Sequence, residues 1–336
     1  MAKCSNWSLL HAKVHRILRS RCLLSRHQRI LVAVSGGQDS LCLAKLLLDL
    51  QPKWEWHLGI AHCNHQWRSD AAANATYVSQ LAQWWNIPFY SETTDCKLHS
   101  EAAAREWRYQ TLSAIAQKNN YSHIVTGHTA SDRAETLLYN LIRGSGADGL
   151  QALTWHRPIT PEISLVRPLL EVTRLETAQF CQEMQLQVWE DSTNQNLKYA
   201  RNRIRQELLP YLYQFNPKVE HNLAQTAEIL QAEVEYLESA AQQLQQNATV
   251  TTNEATIQLN CLVLRTAPLA LQRRVIRRVL QQMLQTAPSF EHIEKVVVLI
   301  AAPNGSQSDP LPGGAIAQVK NGSIWIYTNL APQVSG

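Results

Sequence analysis

The sequence predicts an α/β protein: a parallel sheet covered by helices, leading through a helical connector into a smaller α+β domain. Three observations predict it. Short apolar runs alternate with longer helical stretches from residue 30 to about 142, a glycine pair separates the first such run from the first apolar helix, and charge changes sign in blocks along the chain. Strands alternating with helices build a parallel sheet, because each crossover must pack back onto it.

The elements follow in order. Residues 30–34, 57–62, 87–90 and 122–126 read as buried strands, and 40–50, 69–85, 101–117 and 131–142 as the helices after them. Residues 173–185 and 200–213 read as further helices, and Asn216-Pro217 marks a break. A Glu- and Gln-rich helical connector spans 220–246 and ends in the polar segment 247–254. Beyond it come a basic helix at 268–284, another helix at 290–300, and a hairpin-like end around Gly313-Gly314 and Asn321-Gly322. The expected domains are therefore 1–216, a connector at 217–254, and 255–336.

Composition narrows the class. A chain of 336 residues with 45% hydrophobic content suits two domains with ordinary cores. No apolar run approaches the roughly 18 residues of a membrane span. The seven cysteines are scattered and form no C-x-x-C pair, which argues against a disulfide framework, a zinc ribbon or a cysteine-held cluster and for reduced thiols in the cytoplasm. Residues 1–29 carry seven Lys/Arg and no acid, as either a basic amphipathic helix or a targeting segment would. Residues 219–264 carry six Glu and no Lys or Arg, and 265–278 carry five Arg and no acid. Such blocks separate phosphate-facing surfaces from one that repels phosphate.

The segment Ser35-Gly36-Gly37-Gln38-Asp39-Ser40 lies directly after a strand and before an apolar helix. Glycines let the backbone turn sharply, so that loop and helix-start N–H groups converge on one anion-binding spot. No Lys follows, so it is not a Walker A loop, and it is not G-x-G-x-x-G. Asp39 beside a phosphate makes sense with Mg²⁺ between them. The hexapeptide resembles the S-G-G-x-D-S loop of the PP-loop (N-type ATP pyrophosphatase) superfamily. That resemblance implies a Rossmann-like ATPase domain that cleaves ATP to AMP and pyrophosphate.

Further segments narrow the resemblance: His62-Cys63-Asn64-His65, Glu101-Ala102-Ala103-Ala104-Arg105-Glu106-Trp107-Arg108-Tyr109, Gly127-His128 through Thr136, Arg143-Gly144-Ser145-Gly146, Arg167-Pro168-Leu169-Leu170, Glu190-Asp191-Ser192-x-Asn194, and Arg201-Asn202-Arg203-Ile204-Arg205. In this order residues 30–215 are similar to the tRNA(Ile)-lysidine synthetase family, and 265–327, with Leu311-Pro312-Gly313-Gly314, to its small substrate-binding domain. The chain departs at His128-Thr129-Ala130-Ser131-Asp132-Arg133, where the family has H-H-A-D-D-Q, so Thr129, Ser131 and Arg133 inherit no role. It departs again at Asn64-His65-Gln66-Trp67-Arg68, where the family has N-H-G-L-R.

The resemblance implies ATP-dependent ligation of L-lysine to C2 of the wobble cytidine of tRNA(Ile) with a CAU anticodon, through an adenylated cytidine, with Mg²⁺ as metal. The alternatives are another PP-loop tRNA-modifying enzyme of the thiolase type and a non-catalytic RNA-binding relative. No membrane partner is expected, and a homodimer is left open.

Site residues are expected as follows. Ser35, Gly36, Gly37, Gln38, Asp39 and Ser40 hold the nucleotide, joined by His62 and, from the resemblance, Arg105; Asp39 is the metal ligand. Asp39, His128, Asp132 and Glu135 carry catalysis, Asp132 and Glu135 sharing one helix turn where they hold Mg²⁺ or steer the lysine ammonium, or else complement the helix dipole. Asn64, His65, Arg143, Arg201, Arg203 and Arg205 are expected on substrate or tRNA. His62 and His65 lack the further ligands a zinc site needs and suit hydrogen bonding or a structural role. Arg273, Arg274, Arg277 and Arg278 repeat at i, i+4 as a stripe for a phosphate backbone, with Arg274 and Arg278 as its contacts, or as a solvated helix face.

Overall fold

The computed structural model describes residues 7–66, 70–94, 100–189, 197–253, 255–284 and 286–327. Trp67 and Arg68, the 190–194 motif and the side chain of Glu101 lie outside the described residues. Helix α1 (Leu9–Ser20) opens on a Ser8–His11 capping box and buries Leu10, Val14, Ile17 and Leu18 along one stripe. Then alternate β1 (Arg29–Ala33), α2 (Gln38–Trp54), β2 (His57–Asn64), α3 (Ala71–Trp84), β3 (Phe89–Thr93), α4 (Glu101–Lys118), β4 (His123–Thr126) and α5 (Ala130–Ile142). After α6 (Ala147–Leu150) come β5 (His156–Pro158), β6 (Ser164–Val166), α7 (Arg174–Glu183) and α8 (Ala200–Arg203). A π-helical turn (Ile204–Leu208) runs into α9 (Leu209–Tyr213), and α10 (Val219–Ala248) follows.

The six strands order as β3-β2-β1-β4-β6-β5, all parallel except β5, which pairs antiparallel with β6. The sequence reading missed β5 and β6: each is three residues long, too short for a period-2 pattern to show. Both sheet faces are covered. Ile30, Val32 and Val34 enter a core shared with α1, α2 and α7, while Leu31 turns to the opposite face, toward Tyr109 and Leu112 of α4. From β1 the chain builds outward to β3, then returns to place β4 on the other side of β1. That reversal opens a crevice at the carboxyl edge of β1 and β4, where such sheets bind ligands.

Two compact units divide within α10, at Gln231 and Ala232. In the second unit β7 (Thr249–Thr252), β8 (Thr256–Asn260), β9 (Ile316–Lys320) and β10 (Ser323–Tyr327) form an antiparallel sheet in the order β7-β8-β10-β9. Helices α11 (Cys261–Arg265), α12 (Leu269–Met283) and α13 (Phe290–Val297) complete its core with the end of α10. The 247–254 segment, expected to be only a polar ending, holds β7, because its Thr and Val residues are β-branched and find β8 as a partner.

The basic stripe on α12 also differs from expectation. Arg274 is 8% exposed and donates to Glu238 of α10 at 2.8 Å; Arg278 donates to the other Glu238 oxygen at 2.9 Å and Arg277 joins them. Arg273 forms a forked pair with Glu294 at 2.7 and 3.0 Å. An open stripe for phosphate is thus replaced by guanidiniums folded onto acids, because a carboxylate from the neighbouring helix offers more than solvent does to a half-buried cation.

Candidate active site at the β1–β4 crevice

Ser35–Ser40 turns from β1 into α2 and is braced by its own hydroxyls. Ser40 Oγ donates to the Gly37 carbonyl at 2.8 Å and accepts from Ser35 N at 3.1 Å. Gly36 has φ +90°, and a Cβ there would stand 2.1 Å from Asn74 Oδ1. Asn74 Nδ2 donates to the Ser35 carbonyl at 2.8 Å, while its buried Oδ1 has no partner. Gly37 caps α2 without a side-chain hydrogen bond, so the helix begins with open N–H groups, the arrangement an anion requires.

Opposite lies the turn from β4 into α5. A Cβ on Gly127 would meet the Asp39 carbonyl oxygen at 2.8 Å, so only glycine lets this turn approach the start of α2. His128 Nδ1 pairs with Thr126 Oγ1 at 2.8 Å. Burial, with Arg167 adding to it, holds the His128 imidazole well below its ordinary pKa and so neutral. Burial lowers His62 as well, and its Nδ1 lies 2.8 Å from the Val34 carbonyl.

The residues that departed from the family pattern have local explanations. Thr129 caps α5 reciprocally with Asp132, at 2.8 and 2.9 Å to its carboxylate. Ser131 Oγ accepts from the Arg174 backbone N–H at 2.9 Å. Arg133, 1% exposed, pairs with Glu228 at 2.6 Å.

Arg174 organises the cluster, and the sequence reading did not single it out. Its guanidinium donates to Asp39 at 3.1 Å, Asp132 at 2.9 Å and Glu135 at 3.1 Å. A cation in the first turn of a helix opposes the macrodipole; three carboxylates hold it there. The Thr173–Glu176 capping box that starts α7 was a legible signal for its place. Arg205 joins at 2.7 and 2.9 Å to Glu135. Burial pushes Asp39 and Glu135 above the usual carboxylate range despite these arginines. Burial pushes Asp132 the same way, but Arg174 foremost outweighs it and holds Asp132 below that range.

One cavity of about 610 Å³ joins these groups, lined by Ser35, Gly37, Gln38, Asp39, Ser40, His62, Asn64, His65, His128, Asp132, Arg174 and Arg205, with Arg108, Tyr109, Asn74 and Trp189 beside them. Gly36 is buried behind the loop and Glu135 behind Arg174. Arg143 lies against Tyr139, and Arg203 pairs with Glu207 at 3.2 Å on the surface. Arg201 sits half-buried in α8, outside the cavity lining. Arg105 stands 5.7 Å from the Tyr109 ring. Arg274 and Arg278 belong to the second unit.

Among the described residues no three His, Cys, Asp or Glu side chains converge to cage a metal. Mg²⁺ carried by nucleotide phosphates needs only one or two carboxylates. Asp39, in the first turn of α2 beside the open loop, fits that mode; Arg174 and Thr177 now hold its two oxygens.

Residues 8–212 match the family model of the PP-loop domain, and 259–325 that of the TilS substrate binding domain. A tRNA(Ile)-lysidine synthase of Nostoc sp. is 64% identical, over 95% of this chain and 96% of the relative. One of Synechocystis sp. is 52% identical over 96% and 98%, and a chloroplastic one of Zygnema circumcarinatum 38% over 94% and 90%. Among solved structures, the U34-tRNA thiolase NcsA of Methanococcus maripaludis superposes with a TM-score of 0.56 at 13% identity, over 66% of this chain and 78% of that one, a likeness of fold. With an open phosphate loop facing a carboxylate cluster in its first unit, and sequence identity running through both units, the chain belongs to the tRNA(Ile)-lysidine synthase family of PP-loop proteins.

Proposed function

We propose that this protein, an ATP-using ligase by family, joins the ε-amine of L-lysine to C2 of the wobble cytidine of tRNA(Ile) with a CAU anticodon, in the cytoplasm. The observation that carries the reading is one cavity holding both an uncapped helix N-terminus, suited to pyrophosphate, and a carboxylate cluster, suited to an ammonium group. A urea-like carbonyl is a poor electrophile without a leaving group, so it has to be activated. The cytidine O2 attacks the α-phosphorus of ATP, and pyrophosphate leaves into the Ser35–Ser40 loop, whose N–H groups stabilise its charge. Mg²⁺, when bound, would add charge neutralisation at Asp39. The amine of lysine then attacks C2, and AMP departs.

Asp132 faces the cavity and orients the ammonium, while Glu135, behind Arg174, supports the site by holding Arg174 and Arg205. The amine attacks only after losing its proton to a carboxylate of this cluster, and His128, kept neutral by burial, serves as a hydrogen-bonding partner rather than as the base. Arg143, Arg201 and Arg203 face the RNA in this reading, with Asn64 and His65 near the base. Incubation with ATP, labelled lysine and tRNA tests it: label entering RNA is the expected result, and ATP-dependent sulfur transfer without lysine incorporation would overturn it.

A further inference from the structure

A second cluster, on the α4 face of the sheet, gathers positive charge that no acid among the described residues pairs with. Tyr109 of α4 is 9% exposed, and three guanidiniums surround it. Arg157, on the edge strand β5, stands 4.8 Å from the ring centroid, and Arg105, one turn earlier on α4, stands 5.7 Å away. Arg167, directly after β6, draws the Tyr109 hydroxyl below its ordinary pKa against the effect of burial, and donates through Nη1 to the Thr154 carbonyl at 2.5 Å. Arg167 is 2% exposed, and its buried Nε has no hydrogen-bond partner.

No carboxylate among the described residues answers these cations. Among the described residues neither Arg105 nor Arg157 forms an ion pair; each has only its ring contact. Arg21, Arg133, Arg274 and Arg278, by contrast, are paired on Glu228 and Glu238. The charge reaches the cavity, since Tyr109 lines it beside His128, and Arg167 and Arg105 both bear on the imidazole. Guanidiniums held against an aromatic ring are pre-oriented and keep their N–H edges free for a forked oxyanion contact.

We propose that Arg105, Arg157 and Arg167, gathered about Tyr109, form an oxyanion site, built from different elements than the Ser35–Ser40 loop, that receives a backbone phosphate of the RNA strand carrying the target base. The inference rests on the function proposed above. A phosphodiester fits better than the carboxylate of free lysine. Arg157 is solvent-exposed on an edge strand, where a macromolecule reaches it, and three cations exceed what one carboxylate needs.

The test uses the full chain and equilibrium tRNA binding across a salt series. Arg157→Gln removes an exposed side chain with no ion pair, so the fold should stand; unchanged thermal unfolding checks this. Binding should weaken about 3- to 10-fold at low salt, and the log–log salt slope should fall by roughly 0.7 for one single-strand phosphate contact. Arg157→Lys keeps a point charge and should keep the slope. Michaelis constants for lysine and ATP should not move. An unchanged slope in Arg157→Gln overturns the proposal, as does a raised lysine Michaelis constant with the slope intact, which would assign the site to the carboxylate. Lysine transfer by the wild type is measured alongside. Its absence would sink the proposed function, while the slopes still decide this site.

Discussion

Glu228 shows how an acidic connector serves a basic protein, and its loss has a calculable consequence. One of its oxygens accepts from Arg133 at 2.6 Å and from Trp155 Nε1 at 2.7 Å; the other accepts from Arg21 at 2.6 Å. The pair is asymmetric, with Arg133 1% exposed and Glu228 33% exposed. Glu228→Ala therefore strands a buried guanidinium that keeps only the Gln231 contact at 3.1 Å. Stranding such a charge costs about 3–5 kcal/mol, and the retained contact points to the lower end. Arg133→Met leaves Glu228 partly solvated and still held by Arg21 and Trp155, a loss of about 1 kcal/mol. In the double variant no stranded charge remains, so it should be more stable than Glu228→Ala alone by about 1–2 kcal/mol. Denaturant unfolding at constant slope measures all three. A double variant destabilised by the sum of the singles would refute the reasoning, because it would mean that burial of Arg133 carries no charge penalty.

The remaining predictions concern the site. Arg174→Gln leaves Asp39, Asp132 and Glu135 without their shared cation and should reduce lysine transfer by at least about 100-fold, roughly 2.7 kcal/mol, whereas an effect confined to stability would make Arg174 a mere strut. Gly127→Ala drives a methyl into the Asp39 backbone and should weaken ATP binding by about 10-fold or more through an overpacking cost of about 1–3 kcal/mol; normal ATP affinity would show that the turn can yield. His62 and His128 have lowered folded pKa values, so below the ordinary imidazole value of about 6.5 the unfolded chain binds protons that the folded chain refuses. Their stabilising effect is complete above that pH and is lost as pH falls toward the folded values. His128→Gln should flatten the slope of stability between about pH 6.5 and 4.5, and an unaltered slope would contradict its burial as a neutral ring.

Most of this was legible because the chemistry sits at the ends of strands with strong period. The runs at 30–34, 57–62 and 122–126 announced the parallel sheet, and the segments after them, Ser35–Ser40, His62–His65 and Gly127–Glu135, had to meet at its carboxyl edge. What stayed hidden depends on contacts distant in sequence. Arg174 reads as an ordinary helix residue until Asp39, 135 residues earlier, comes within reach. The α12 arginines look like an open face because helical period says nothing of Glu238, 36 to 40 residues upstream. Arg157 belongs to a strand that is exposed along all three residues, and its placement beside Tyr109 follows only once β5 pairs with β6.

The central claim is that ATP is split between its α- and β-phosphates to attach lysine to RNA, and product stoichiometry tests it most directly. With tRNA(Ile), lysine and ATP, the wild type should release one AMP and one pyrophosphate for each lysine incorporated, and Asp39→Ala should release neither while still binding tRNA. ADP and phosphate as products, or AMP formed with no lysine in the RNA, would contradict the account.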